Sequence, residues 1–191
     1  MVLHYKGKYS GNESDLPVRE HVENFVPFKE PQDLKSLAVI ANAVALGLLV
    51  LFAVPPVILG REYFLRGDIG ILLGAILPVL TLFPHEFLHA LCFRGDVEMY
   101  TNLKQGMCFV IGTEDMSKAR FVFMSLFPNL IFGILPYVVW LFCPSLLGFG
   151  IFGALCTSMG GGDYMNVWNA LTQVPKGARI CLSGLHSYWH N

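Results

Sequence analysis

Long uncharged apolar runs alternate with short charged segments along most of this chain. The first run, residues 37–60, holds 24 residues without a charge, and a helix that crosses a bilayer core needs about 20. A second apolar run extends over residues 69–93. Residues 121–162 form a third run of 42 residues without a charge, which is too long for one span and is divided at Cys143-Pro144-Ser145. The pattern therefore predicts four spans, at about 37–60, 69–93, 121–142 and 146–173.

The segment between the second and third spans has a different pattern. Val97-Glu98-Met99-Tyr100-Thr101 and Met107-Cys108-Phe109-Val110-Ile111 are short and rich in residues that favour strands, and Lys104-Gln105-Gly106 stands between them. This arrangement predicts a β-hairpin with a glycine turn, with an irregular loop as the alternative. The fold class expected is an all-α integral membrane protein with about four transmembrane helices and one small cytoplasmic β-hairpin.

Composition and charge support a membrane domain with a polar tail. The chain is 54% hydrophobic and 14% charged, whereas a soluble protein averages about 25% charged. Of its 27 charged residues, 11 lie within the first 35 positions. We predict a cytoplasmic N-terminal tail over residues 1–35, a four-span membrane domain over residues 36–174 and a cytoplasmic C-terminal tail over residues 175–191. The first 35 residues lack the pattern of a cleaved signal peptide.

The orientation follows from the distribution of Lys and Arg. With the N-terminus inside, the inner segments carry five of these residues in the tail, four between spans two and three, and two after span four. Only Arg61 and Arg66 would lie outside. Eleven against two is the asymmetry of the positive-inside rule, so both termini and the hairpin are expected in the cytoplasm.

Two classes of function and site are excluded by what the chain lacks. A net charge of −1 without a basic cluster excludes nucleic acid as a partner. The five cysteines form no Cys-x-x-Cys pair and are odd in number, so neither a disulfide framework nor a cysteine zinc site is predicted.

The second span contains His85-Glu86-Phe87-Leu88-His89. Two histidines four residues apart lie on one face of a helix and can reach the same zinc ion, while the glutamate between them is placed to act as a general base. Ionisable groups within an apolar run are costly in a membrane and normally mark function. The alternative is that these residues only cap the span at the cytoplasmic surface. We favour a Zn²⁺ site with His85 and His89 as ligands and Glu86 as the catalytic base.

Two prolines precede the motif. Pro78 and Pro84 cannot donate backbone hydrogen bonds, so a kink is expected just before His85. The alternative is that they are ordinary prolines of a membrane helix.

Two histidines and a water leave a tetrahedral zinc ion one protein ligand short. Five side chains are candidates for the third position: Glu98, Glu114, Asp163, His186 and His190.

Asp163 is the candidate that we favour. It is the only charged residue between Arg120 and Lys176, and it follows three glycines that allow close helix approach. His85 lies 16 residues beyond Ile69 and Asp163 lies 17 residues beyond Leu146, so both lie about 24–25 Å into their spans at 1.5 Å per residue. Asn166, one turn after Asp163, is predicted to orient its carboxylate.

These motifs resemble a family of bacterial membrane proteins called "putative zincin peptidases". The resemblance rests on Pro84-His85-Glu86-Phe87-Leu88-His89-Ala90-Leu91, on Arg120-Phe121 to Pro128, and on Gly162-Asp163-Tyr164-Met165-Asn166. More remotely the chain is similar to site-2 proteases, in which a later span supplies an aspartate. Site-2 proteases have an Asn-Pro-Asp-Gly or Leu-Asp-Gly motif, whereas this chain has Gly-Gly-Asp-Tyr.

The resemblance implies a zinc peptidase of the bacterial cytoplasmic membrane, with membrane or membrane-associated proteins as substrates. The expected function is hydrolysis of peptide bonds at or within the membrane, near its cytoplasmic side. The alternative is a non-catalytic metal-binding scaffold or a regulatory subunit. The sequence does not indicate the oligomeric state.

Overall fold

The computed structural model describes residues 1–102 and 107–191. They form a mostly helical protein, with 59% helix, and two small β-sheets. The turn predicted at residues 104–106 lies outside the described residues.

The helices follow the predicted apolar runs but are more often interrupted. In chain order they are α1 (Leu34–Leu59), α2 (Arg61–Leu65), α3 (Ile69–Leu80), α4 (Leu82–Leu91), α5 (Lys118–Pro128), α6 (Leu135–Phe142), α7 (Leu147–Met159) and α8 (Gly161–Gln173). A π-helical stretch, Asn129–Ile134, joins α5 to α6.

Two helices are long and apolar enough to cross a membrane: α1, and the continuous helix Lys118–Phe142 formed by α5, the π stretch and α6. The predicted second span corresponds to α3 and α4, which meet the same criteria only when taken together. The predicted fourth span is divided at Gly160 into α7 and α8, each 13 residues long. The structure thus has two candidate spans in the part of the chain that it describes, or three if the bent pair crosses the membrane as one.

The expected kink before the motif is present. Helices α3 and α4 meet at Thr81 with a bend of 52°. Pro84, in the first turn of α4, has no N–H to offer the carbonyl of Leu80, so the helical ladder cannot continue across this point. The Thr81 hydroxyl donates to the carbonyl of Pro78 at 2.7 Å and so caps the C-terminal end of α3.

Helix α1 carries no charged side chain after Lys35. The Asp33 carboxylate caps its first turn by accepting from the Ser36 N–H at 2.8 Å. None of the 18 residues in its most apolar window is buried within the protein. An uncharged surface of this length suits lipid rather than water.

The two sheets contain more strands than the single hairpin that the sequence predicts. The strands are β1 (Val2–Lys8), β2 (Val26–Pro27), β3 (Asp96–Asn102), β4 (Met107–Ile111), β5 (Met116–Ser117), β6 (Arg179–Ser183) and β7 (His186–His190). The predicted hairpin strands are β3 and β4, which pair antiparallel with Glu98 opposite Ile111. Strand β1 adds in parallel to the other edge of β3, and the second sheet has the order β2-β7-β6-β5. Both polar tails therefore contribute strands. The apolar alternation within these tail strands is weak, and backbone pairing with strands that are distant in sequence stabilises them.

The chain divides into two compact units. One contains Met1–Gln32, Glu86–Ser125 and Asn166–Asn191, and the other contains Asp33–His85 and Leu126–Met165. The domain boundaries expected at residues 35 and 174 stay a prediction.

The first unit holds both sheets and a core of buried side chains. This core includes Phe28, Phe93, Val97, Phe121 and Ile180, each no more than 4% exposed. Residues from both tails and from the segment after the motif thus share one hydrophobic core.

In the second unit α7 is central and packs against α1, α3, α6 and the π stretch. The backbones of α3 and α7 come into close contact where Gly74 faces Gly148, and a side-chain carbon at Gly74 would overlap the Gly148 carbonyl. Trp140 and Leu147 fill the neighbouring core. Small residues on α3 and α7 therefore permit this tight packing.

Candidate metal centre

His85, Glu86 and His89 lie within the ten residues of α4. Their potential ligand atoms, ring nitrogens and carboxylate oxygens, all lie within 4.8 Å of one another. His89 is buried, with 6% of its surface exposed, while His85 and Glu86 are partly buried. The two histidines that the motif predicts on one helix face thus lie together, with the Glu86 carboxylate beside them.

The orientation of His89 is defined by a backbone contact. Its Nδ1 lies 2.9 Å from the carbonyl oxygen of Met124 in α5. A carbonyl oxygen can only accept a hydrogen bond, so Nδ1 must carry the proton and donate it. The neutral ring then has its lone pair on Nε2. Histidine ligands of metals commonly donate their other ring N–H in this way.

His85 lies next to Asp163. Its Nε2 is 3.1 Å from Asp163 Oδ2, and the two side chains are 12% and 16% exposed. Asp163 lies in the first turn of α8, where the N-terminal end of the helix dipole favours a carboxylate. His85 and Asp163, which the sequence was expected to place at the same level, are therefore neighbours.

This separation suits two arrangements of His85 and Asp163. Two ligands of a tetrahedral zinc ion, each about 2.0 Å from it, lie about 3.3 Å apart. A direct hydrogen bond between Nε2 and Oδ2 has nearly the same length. The 3.1 Å separation fits both a third zinc ligand and a carboxylate that orients His85, and the role of Asp163 stays a prediction.

Asn129 was not singled out from the sequence, yet it contacts the same carboxylate. Its Nδ2 donates to Asp163 Oδ2 at 2.7 Å, and it begins the π stretch Asn129–Ile134. A π-helical turn shifts the side chains that follow it and often occurs at functional sites. A signal for Asn129 existed, because it is the only Asn or Gln in the uncharged run 121–162. Asn166 lies three residues after Asp163 in α8, and its orienting role stays a prediction.

Gly160 gives Asn129 the space that it occupies. A side-chain carbon at Gly160 would overlap the Asn129 amide. Gly161 similarly allows α1 to approach, because a side-chain carbon there would overlap the Ala41 carbonyl. Among the described residues, no atom beyond the adjoining backbone lies within 4 Å of the corresponding position at Gly162. Two of the three glycines before Asp163 therefore serve close packing.

The other candidates for a third ligand have polar partners of their own. The Glu114 carboxylate accepts from the backbone N–H groups of Arg94 and Gly95, the latter at 2.7 Å, and it pairs with Arg120. Arg120 in turn donates through Nε to the Cys92 carbonyl at 2.8 Å. Glu114 and Arg120 therefore hold the chain where it leaves α4.

The remaining candidates also make contacts away from the motif. Glu98 accepts from the Tyr100 hydroxyl and pairs with Lys6 at 3.1 Å. The two C-terminal histidines pair with carboxylates, His186 with Glu30 at 3.3 Å and His190 with Asp115 at 3.2 Å. These pairings account for the polar groups without a metal.

The donor set on α4 fits a zinc site. Imidazole nitrogens and carboxylate oxygens are usual zinc ligands. The buried Nδ1–H bond of His89 adds the outer hydrogen bond that such sites have. The residues present are therefore suited to the metal that the motif implies.

Residues 78–179, just over half of the chain, match a protein family described as "Putative zincin peptidase". The match includes α4, the segment that follows it, and α5 to α8. No curated protein and no solved structure matches the chain.

Proposed function

Because this chain belongs to the family described as "putative zincin peptidase", we propose that it is a zinc-dependent metallopeptidase embedded in the bacterial cytoplasmic membrane. It hydrolyses peptide bonds of membrane or membrane-associated proteins near the cytoplasmic side. The observation that carries this proposal is that the ring nitrogens of His85 and His89 and the carboxylate of Glu86 lie within 4.8 Å of one another on one helix. Two candidate membrane-spanning helices support its membrane location.

The proposed roles follow from the chemistry of each group. His85, His89 and Asp163 would hold a zinc ion, which when bound would act as a Lewis acid and make water acidic enough to lose a proton near neutral pH. The Glu86 carboxylate accepts that proton and can return it to the amine that leaves when the peptide bond breaks. Asn129 holds the Asp163 carboxylate through its 2.7 Å hydrogen bond.

We propose four crossings of the membrane with both termini in the cytoplasm. The bent pair α3 and α4 forms one crossing, and α7 with α8 forms another, beside the two longer helices. The count of eleven Lys and Arg against two supports this orientation.

The substrate segment is proposed to be extended, since a helix engages its own carbonyls in hydrogen bonds. Strand β4 suits such a segment. Among the described strands it pairs with β3 only, so its other edge is available for strand addition. Burial raises the pKa of the Cys108 thiol to about 12, and the negative charge of Glu86 contributes to the rise. The charge of the proposed catalytic base therefore acts on a side chain of β4.

The test of the function is Glu86→Gln. The amide cannot accept the proton, so hydrolysis should be lost while zinc stoichiometry stays near that of the wild type, because Glu86 is not a proposed ligand. Membrane proteomes from cells expressing the two forms would identify the substrate as a protein cleaved only by the wild type. His85→Ala is the comparison that should lose the metal as well.

Cleavage at the wild-type rate by Glu86→Gln would contradict the enzymatic mechanism. Bound zinc with no protein cleaved by the wild type would instead indicate a metal-binding scaffold or a regulatory subunit.

The third ligand has its own test. Asp163→Ala should weaken zinc binding and end hydrolysis, whereas Glu98→Ala and Glu114→Ala should retain both. Zinc content of the purified variants and a substrate assay measure these outcomes. Zinc bound by Glu98 or Glu114, with Asp163 several Å away, would refute the assignment.

A further inference from the structure

The carbonyl of Met124 lacks the donor that an α-helix normally provides. In a regular helix it would accept from the N–H four residues later. That residue is Pro128, which has no N–H. Pro128 lies inside the continuous helix Lys118–Phe142, so the chain remains helical while one acceptor loses its usual partner.

The His89 ring supplies a donor to this carbonyl. Its Nδ1–H donates to Met124 O at 2.9 Å. Both residues are buried, with His89 6% and Met124 5% exposed. A buried carbonyl and a buried ring N–H each need a partner, because burial separates them from water. The hydrogen bond between them satisfies both the His89 N–H and the Met124 carbonyl.

We infer that Pro128 is a positioning residue for the metal site, because it keeps the Met124 carbonyl available for His89. The hydrogen bond holds the proton on Nδ1 and the lone pair on Nε2, and it sets the orientation of the ring. An ordinary residue at position 128 would offer a backbone N–H that competes with His89 for the same acceptor. The consequence for zinc rests on the proposed function, whereas the orientation and tautomer of the ring do not.

The decisive comparison uses two replacements of Pro128 that differ in one group. Pro128→Ala introduces the competing N–H. Incorporation of lactic acid, the α-hydroxy analogue of alanine, at position 128 by nonsense suppression removes the proline ring equally but supplies an ester oxygen and no N–H. Pro136→Ala is the matched control, since Pro136 is also buried in the same helix and the change adds an N–H away from His89.

Zinc affinity of the purified full-length protein in detergent is the first measurement. Pro128→Ala should raise the zinc dissociation constant roughly 10- to 100-fold, as loss of an outer hydrogen bond to a metal ligand does. The lactic acid variant and Pro136→Ala should stay near the wild type. Equal weakening by alanine and by lactic acid would overturn the inference, because the effect would then come from lost packing.

The second measurement needs no metal. Nitrogen NMR of ¹⁵N-histidine-labelled, zinc-free protein reports which ring nitrogen of His89 carries the proton, with His89→Ala used to assign the signal. The wild type and the lactic acid variant should show Nδ1–H, and Pro128→Ala should show a smaller share of it. An unchanged tautomer in Pro128→Ala would refute the inference. A wild type that shows Nδ1–H but binds no zinc would refute the proposed function alone.

Discussion

Gly160→Ala tests whether the packing behind Asp163 is as close as the structure indicates. Gly160 has φ −78° and ψ 21°, a backbone conformation that alanine can adopt, so the substitution acts through the added methyl group. That methyl would overlap the amide of Asn129, which is only 1% exposed. Because Asn129 is enclosed, it cannot move aside without leaving Asp163.

The expected magnitude follows from this enclosure. Overpacking of a well-filled interior costs about 1–3 kcal/mol, and we expect Gly160→Ala to lower the free energy of unfolding by that amount. Displacing Asn129 also breaks its 2.7 Å bond to Asp163. Zinc affinity should then fall roughly 10- to 100-fold, as it does when outer partners of a metal site are removed.

Equilibrium unfolding in mixed micelles and zinc titration measure the two effects. Gly162→Ala is the matched control, since its added carbon would have open space around it in the described part of the chain. The sharper test is a double-mutant cycle. In the Asn129→Ala background the space is already open, so Gly160→Ala should cost less than about 0.5 kcal/mol. Equal costs in both backgrounds, or equal costs for Gly160→Ala and Gly162→Ala, would refute the reasoning.

Three further predictions concern topology, reactivity and the metal. A phosphatase that is active only outside the cytoplasm should be inactive when fused after Asn191, and activity there would reverse the proposed orientation. Because burial and Glu86 raise the pKa of Cys108 to about 12, iodoacetamide should alkylate Cys108 more slowly at pH 9 than the exposed Cys143. Glu86→Gln removes the negative charge, lowers the pKa of Cys108 and should speed its alkylation; an unchanged rate would contradict the contribution of the Glu86 charge to that pKa. Zinc at 100 times its dissociation constant should stabilise the wild type by about 2.7 kcal/mol, an increment that a chelator removes and His85→Ala lacks.

The helical part of the fold and the proximity of His85 to Asp163 were accessible from the sequence for physical reasons. Uncharged runs have few folded states other than membrane helices. A count of residues along the second and fourth predicted spans favoured Asp163 as the neighbour of His85, and the structure places Asp163 Oδ2 3.1 Å from His85 Nε2.

The strands of the two tails could not be predicted in the same way. Strand β1 pairs with β3, more than 90 positions away, and β2 has only two residues, which pair with β7 near the C-terminus. Such pairing depends on the chain having already brought distant segments together. The apolar alternation within each short strand is too weak to indicate it.

The contacts behind the proposed metal site were hidden for another reason. Pro128 in the sequence indicates that some carbonyl loses its helical donor, but not which side chain replaces it. Asn129 was visible as the only side-chain amide in a long uncharged run, but its partner depended on how α8 packs. The sequence thus shows that Pro128 and Asn129 are unusual, and the three-dimensional packing determines which groups they affect or contact.

The two basic residues at the start of α5 have a consequence for biogenesis. Lys118 donates to the carbonyl of Leu171 in the last turn of α8 and to that of Val174 just after it, and Arg120 donates to the chain just after α4. In the proposed topology both charges remain in the cytoplasm while the chain inserts. After insertion the same ammonium and guanidinium groups donate hydrogen bonds to backbone carbonyls near the ends of α8 and α4. In the proposed topology, the charges that orient the chain during insertion therefore also stabilise the folded protein. Replacing Lys118 and Arg120 with neutral residues would then impair both the membrane insertion of newly made chains and the stability of the folded protein.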